Sequence, residues 1–288
     1  MINDIFKTRT CSGCISAALN IYSNNFKKIF RATWLWILIL AIVNGAMAFI
    51  HNPTMDSVVQ PRSLILPAVG MGVILVASFF LVARIIAGVV AILNEVKLKT
   101  SLKKVLSVNG LTLCIGIVCG LIVTTVNVGL TNIGAVQKLP VSTLIILLSV
   151  VSLVLLIIMA MCLSPLVYSA TRYIFQADAK LKEVFGKNYH EGLRRMGFLF
   201  SLIIATCLLC VMAGAFLCVP ACITIFASNI DSYGVAAGDV SGLPSYFAGL
   251  NFLSTAIMTF IVQYIMIFVV LTYFYAYGSV TTINSKSN

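Results

Sequence analysis

Residues 141–171 carry no charged side chain and are dominated by Leu, Ile and Val. No other feature constrains this chain so tightly. A run apolar on every face has no side to turn to water. In a bilayer its backbone N–H and C=O groups must be satisfied internally, which leaves a helix or a closed barrel. Barrel strands are about ten residues of alternating polarity. This run is longer and does not alternate, so it reads as a membrane helix. Five further runs read the same way, at 33–50, 64–93, 110–130, 198–227 and 251–278. A crossing needs about 20 residues to span roughly 30 Å of hydrocarbon. The runs 64–93, 141–171 and 198–227 exceed that and are expected to tilt, kink or project. Pro67, Pro165 and Pro220 mark where kinks are expected, because proline lacks an N–H and crowds the preceding turn. Composition agrees: 60% of residues are hydrophobic and 9% charged, against about 25% charged in a soluble domain. The chain therefore reads as all-α, a polytopic membrane protein of six transmembrane helices forming a single integral membrane domain over residues 1–288.

Charge gives the orientation. The segments before the first run, between the second and third, between the fourth and fifth, and after the sixth hold 16 of the 19 basic residues. The opposite loops hold Arg62 and Lys138, and Arg84 lies inside the second run. The positive-inside rule places the basic segments and both termini in the cytoplasm, and the protein in the cell inner (cytoplasmic) membrane. The net charge of +11 is then an attraction to the anionic inner leaflet rather than to nucleic acid.

Each basic segment has helical spacing. In the 1–32 segment, Ile15, Leu19, Tyr22, Phe26 and Ile29 fall on one face, with Lys27, Lys28 and Arg31 off it. Leu98, Leu102 and Val105 recur likewise beside Lys97, Lys103 and Lys104. Leu181, Val184, Phe185, Tyr189, Leu193 and Met196 do so among Arg172, Lys180, Lys182, Lys187, Arg194 and Arg195. Each segment leads into an outward span, so the chain reads as three loose repeats of basic amphipathic helix, outward span, outer loop and inward span.

Individual residues have competing readings. Arg84 is either a headgroup anchor at the end of an over-long helix or a functional intramembrane cation. Gly116 and Gly120 form a GxxxG pair, which permits close helix contact. Cys11 and Cys14 form a lone CxxC, either a redox or metal half-site or two thiols before a helix. A zinc site needs four ligands, and no second CxxC lies in a soluble segment. The remaining cysteines sit in or near spans, where cysteine packs as a small hydrophobe. His190 reads as a solvated helix residue, and His51 lies on the opposite side. Residues 229–250 read either as an ordinary flexible outer loop or as a cap on the outer face or partner contact, and Tyr273, Phe274, Tyr275 and Tyr277 as an aromatic belt at the inner boundary. The first apolar run begins too late for the usual cleavable signal peptide, although Ala46, Met47 and Ala48 mimic a cleavage site.

The segments NIYSNNFKKIF, AILNEVKLKTSLKKVLSVNG and YIFQADAKLKEVFGKNYHEGLRRMG, with six spans and cytoplasmic termini, resemble a broad group of bacterial six-helix membrane proteins. That group includes the membrane domain of glycerophosphodiester phosphodiesterases. The soluble phosphodiesterase barrel has no counterpart here, so the resemblance carries over no catalytic residue.

No catalytic constellation, cofactor or metal site is expected. The preferred reading is a non-enzymatic protein that engages membrane lipids, a protein partner or a second copy through its basic helices. The alternative is a transporter or permease for a small or lipidic solute, supported by the repeats, the prolines, Arg84, and Asn44 and Asn127 within spans. The absence of Asp or Glu from the spans counts against ion-coupled transport. Contacts for a headgroup or substrate are expected at Arg84, Arg172, Lys27, Lys28, Lys103, Lys104, Arg194 and Arg195.

Overall fold

The computed structural model describes residues 5–50, 65–94, 97–133, 140–176, 179–240, 242–244 and 246–287. The loop 51–63, with His51 and Arg62, and Lys138 lie outside the described residues. Among those described, all regular structure is helical: α1 (Cys11–Ile50), α2 (Ile65–Asn94), α3 (Leu98–Thr131), α4 (Val141–Phe175), α5 (Lys182–Phe185), α6 (Lys187–Leu193), α7 (Met196–Leu217), α8 (Val219–Ala236) and α9 (Phe247–Ser287). Six stretches are long and apolar enough to cross a membrane: Cys11–Ala48, Val69–Leu93, Leu98–Thr131, Ser142–Phe175, Met196–Leu217 and Phe247–Ser285. The protein is a multi-pass, all-helical membrane protein.

The first two basic lead-ins run into their spans without a break, giving α1 of 40 residues and α3 of 34. The third does not. Gly186 separates α5 from α6, and a turn at Arg194 and Arg195 separates α6 from α7. The prolines act unequally. Pro67 is the third residue of α2, in a first turn where the N–H has no intrahelical partner to lose. Pro165 lies inside α4. Pro220 sits in the first turn of α8, just past the interruption at Cys218 that ends α7.

The expected outer loop is shorter than its spacing suggests. Residues 229–236 continue α8, and 247–250 open α9. After α8 the chain turns through Gly238, whose φ of 99° lies in the left-handed region that glycine tolerates. The amides of Gly238 and Asp239 return to the carbonyls of Val235 and Gly234 at 3.0 and 2.9 Å. Asp231 Oδ1 accepts the Gly242 N–H at 2.9 Å.

The chain packs as two compact units. The first comprises Met1–Cys14, Lys103–Ile204 and Tyr273–Asn288. In it Asn127 of α3 donates to Ser152 of α4 at 2.9 Å. No residue in the most apolar window of α3 or of α4 is buried by the protein itself. A Cβ added at Gly116 or Gly120 would meet nothing within 4 Å. The close helix contact expected of the GxxxG pair is therefore not made among the described residues. Of the expected aromatic belt, Phe274, Tyr275 and Tyr277 are buried within the protein and Tyr273 is half-buried. Phe274 stacks on Phe175 at 4.0 Å, and Tyr277 packs against both Phe6 and Tyr168.

The second unit comprises Ile15–Leu102 and Ala205–Thr272. Here α1 buries a line through Ala18, Asn25, Ile29, Thr33, Ile37 and Leu40. Leu19 and Phe26, assigned to the apolar face by spacing, are 56% and 42% exposed. Where lipid is the solvent, an apolar side chain gains little by turning inward, and small residues such as Ala18 and Thr33 let helices approach. An aromatic row joins α1 to α9: Tyr22 to Phe268 at 6.3 Å, Phe26 to Tyr264 at 6.0 Å and Phe30 to Tyr264 at 5.7 Å. Gly45 permits the closest approach, since a Cβ there would lie 2.9 Å from the Phe252 carbonyl. Ser78 of α2 donates to Asn44 of α1 at 3.1 Å.

Candidate functional site

The site begins at Pro165. Its missing N–H leaves the Met161 carbonyl without the usual helical donor. Ser164, wholly buried, supplies one: its Oγ donates to Met161 O at 2.8 Å. The next carbonyl, Cys162, accepts the Tyr189 hydroxyl of α6 at 2.9 Å. Gly192 lies directly against the proline, where a Cβ would stand 3.0 Å from the Pro165 carbonyl oxygen and 3.2 Å from its Cα. The short helix α6 is thus seated on α4 at the proline, and the seat requires a residue without a side chain.

That seating brings Glu191 to Arg172, one turn before the end of α4. Arg172 Nη1 donates to Glu191 Oε2 in an ion pair, with side-chain exposures of 21% and 25%. Arg172 Nε donates to Gln176 Oε1 at 3.0 Å, and the Tyr168 hydroxyl donates to Glu191 Oε2 at 3.2 Å. The end of α9 closes the group. Thr281 Oγ1 lies 3.3 Å from the Tyr168 hydroxyl, and Asn284 Nδ2 donates to the Glu191 carbonyl at 3.4 Å.

The N-terminal segment holds this part of α9. The Arg9 amide donates to Ser279 Oγ at 2.9 Å, and the Ser279 hydroxyl donates to the Arg9 carbonyl at 3.1 Å. The Arg9 guanidinium lies 5.0 Å above the Tyr275 ring. Gly278 lies against Ile5, where a Cβ would collide with the Ile5 carbonyl.

Between these elements opens a cleft of ≈ 440 Å³, lined by Arg172, Lys187, His190, Glu191, Arg194, Thr281, Asn284 and Ser285. Three permanent cations face one carboxylate, and that carboxylate is paired with Arg172. Lys187 and Arg194 are exposed at the rim. The arrangement suits an anion, through the planar fork of arginine and the point charge of lysine.

Of the residues expected at a site, the structure brings Arg172 and Arg194 together. Arg195 is half-buried and does not line the cleft. Lys104 donates to the Gln176 carbonyl at the C-terminal end of α4 and lies 5.4 Å over Tyr173, so it neutralises a helix end. Lys103, Lys27 and Lys28 are exposed. Arg84 belongs to the second unit. Its guanidinium lies 4.9 Å over the Trp36 ring and borders Gly88. Spacing alone could have flagged the missed wall residues Lys187, His190 and Glu191, which with Arg194 recur at steps of three and four, on one helical face.

The cysteines form no site of their own. All nine are free thiols. Cys11 Sγ lies 3.1 Å from Ser201 Oγ, and Cys14 is buried. Among the described residues no group of three or more His, Cys, Asp or Glu side chains could hold a metal ion.

Fold and cleft together define a multi-pass helical membrane protein with a basic cleft where two of its spans end. No family model matches the chain, and no curated protein or solved structure matches it.

Proposed function

We propose that this is a non-enzymatic protein of the bacterial inner membrane that engages anionic lipid headgroups at the basic ends of its spans, with both termini in the cytoplasm. One observation carries the reading: among the described residues, Lys187 and Arg194 have no acidic partner in a cleft at the ends of α4 and α9. Polybasic segments beside a membrane gain about 1 kcal/mol per Lys or Arg from anionic lipid. Exposed Lys27, Lys28 and Lys103 add to the same attraction. Glu191 is held by Arg172 and Tyr168, which supports a binding role for the cleft over proton transfer. The pattern-level resemblance to bacterial six-helix membrane proteins supports the inner-membrane placement. A protein partner or a second copy would meet the same basic surface.

The test is lipid retention. Full-length protein in nanodiscs of mixed zwitterionic and anionic lipid is extracted, and its bound lipids are counted by native mass spectrometry. Bound lipid enriched in anionic species over the surrounding bilayer is expected. Bound lipid of bulk composition would sink the reading. The transport alternative leans on Arg84, whose place over Trp36 fits anchoring and packing better than a solute path. Liposome flux that disappears in a folded Arg84→Ala variant would reverse that preference.

A further inference from the structure

We infer that the cleft between the ends of α4, α6 and α9 binds a phosphate monoester, the terminal phosphate of an anionic headgroup. The inference rests on the headgroup reading above and narrows it to one site and one charge state.

The first argument is charge. Arg172, Lys187 and Arg194 face a single carboxylate, Glu191, leaving two positive charges in excess among Lys, Arg and Glu. A phosphate monoester carries about −1.5 to −2 near neutral pH, because its second ionisation lies near 6. A phosphodiester carries a single charge and would leave one cation unmatched.

The second argument is geometry. Lys187, Glu191 and Arg194 line one wall at steps of four and three along α6 and the residue that follows it. Thr281, Asn284 and Ser285 line the other at steps of three and one along α9. The cations thus stand opposite a neutral wall, whose Thr281 and Ser285 hydroxyls donate within α9 to the Tyr277 and Thr282 carbonyls at 2.9 Å, so that nothing on it repels a phosphate. A volume of ≈ 440 Å³ falls within the roughly 300–1,000 Å³ typical of small-molecule sites.

The third argument is depth. Arg172 lies three residues before Phe175, where the span Ser142–Phe175 ends. Thr281, Asn284 and Ser285 lie on α9 beyond the apolar run 251–278. Both walls therefore lie just past the apolar runs 141–171 and 251–278, on the basic side where lipid phosphates are expected. A soluble phosphate monoester offers the same chemistry, so the experiment must separate the two sources.

Full-length protein is placed in phosphatidylcholine nanodiscs containing equal mole fractions of either phosphatidic acid, a monoester, or phosphatidylmethanol, the corresponding methyl diester. Occupancy is read by native mass spectrometry. Phosphatidic acid is expected to bind about tenfold more tightly, the scale of one charge-assisted hydrogen bond. The Lys187→Gln/Arg194→Gln double variant is expected to erase that preference. Both side chains are exposed, and an unchanged thermal unfolding midpoint confirms that the variant folds. Displacement of the lipid by glycerol 3-phosphate at equal concentration assigns the site to a soluble monoester, and failure to displace assigns it to the lipid. Equal retention of the two lipids, or a preference that survives the double variant, overturns the inference. If the lipids are retained equally but still above phosphatidylcholine, the headgroup reading stands without it. If neither is retained above phosphatidylcholine, both readings fall.

Discussion

Arg172 concentrates the chemistry of the first unit into one side chain. Its Nε serves Gln176, and its Nη1 serves Glu191 and, at 3.4 Å, the Tyr168 hydroxyl. Glu191 in turn occupies the place an incoming anion would take, so the carboxylate both steadies the guanidinium and competes for it. Glu191→Gln separates these roles because it keeps the shape and removes the charge. Thermal unfolding in detergent should show a loss of about 1 kcal/mol, the value of a partly exposed ion pair with its hydrogen bonds. Affinity for phosphatidic acid should rise several-fold. A fall in affinity would mean that Glu191 aims Arg172 at the ligand instead of competing with it. Sequence reasoning reached Arg172 and Arg194 through their basic character at a span boundary. It could not reach the pairing of Arg172 with Glu191, because that depends on where a seven-residue helix lands. The landing is set by Gly192 against Pro165, a contact between backbones that leaves no trace in side-chain pattern.

At the level of elements, α4 is the one whose irregularity does the positioning. Pro165 removes a donor, Ser164 replaces it, and Tyr189 uses the neighbouring carbonyl to fasten α6. Ser164→Ala should leave the Met161 carbonyl unsatisfied in a buried place, at a cost of about 1–3 kcal/mol. In a Pro165→Ala background the residue 165 N–H returns to that carbonyl, and the same Ser164→Ala change should cost much less. Unfolding measurements on the four proteins of this cycle test the account, and additive costs would refute it. The six apolar helices were legible in the sequence because hydrocarbon demands unbroken apolar length. Which face of each helix meets protein was not. On α1 the spacing puts Leu19, Tyr22, Phe26 and Ile29 on one face, yet of these only Ile29 joins the buried line through Ala18, Asn25 and Thr33. Apolarity sorts side chains between core and water, and it sorts poorly between core and lipid. The same indifference led the buried Tyr275 and Tyr277 to be read as boundary anchors. The break of the third lead-in at Gly186 had a visible signal in its glycine, overridden in that reading by the helical spacing around it.

For the whole molecule the open physical question is direction across the membrane, and charge supplies a definite prediction. If all six apolar helices cross, the chain returns to the side on which it began, and both termini are expected in one compartment. Lys27, Lys28, Arg31, Lys103, Lys104, Arg194 and Arg195 all precede spans that leave that side, in segments short enough for the positive-inside bias to act. The segment around Gly238 and Gly242 follows α8 and, with Asp231 and Asp239, carries no Lys or Arg, so the same rule predicts it on the opposite side. An alkaline phosphatase domain, active only outside the cytoplasm, should therefore be inactive when fused at the C-terminal end and active when inserted between Gly242 and Leu243. A fluorescent protein fused at the C-terminal end should be bright. The opposite pattern would place the Arg172–Arg194 cleft on the outer face, where the anionic inner leaflet could no longer be its partner. Topology is thus a separate condition on function. The cleft can hold a phosphate on either side, but the inner-leaflet reading requires both ends of the chain to lie within the cytoplasm.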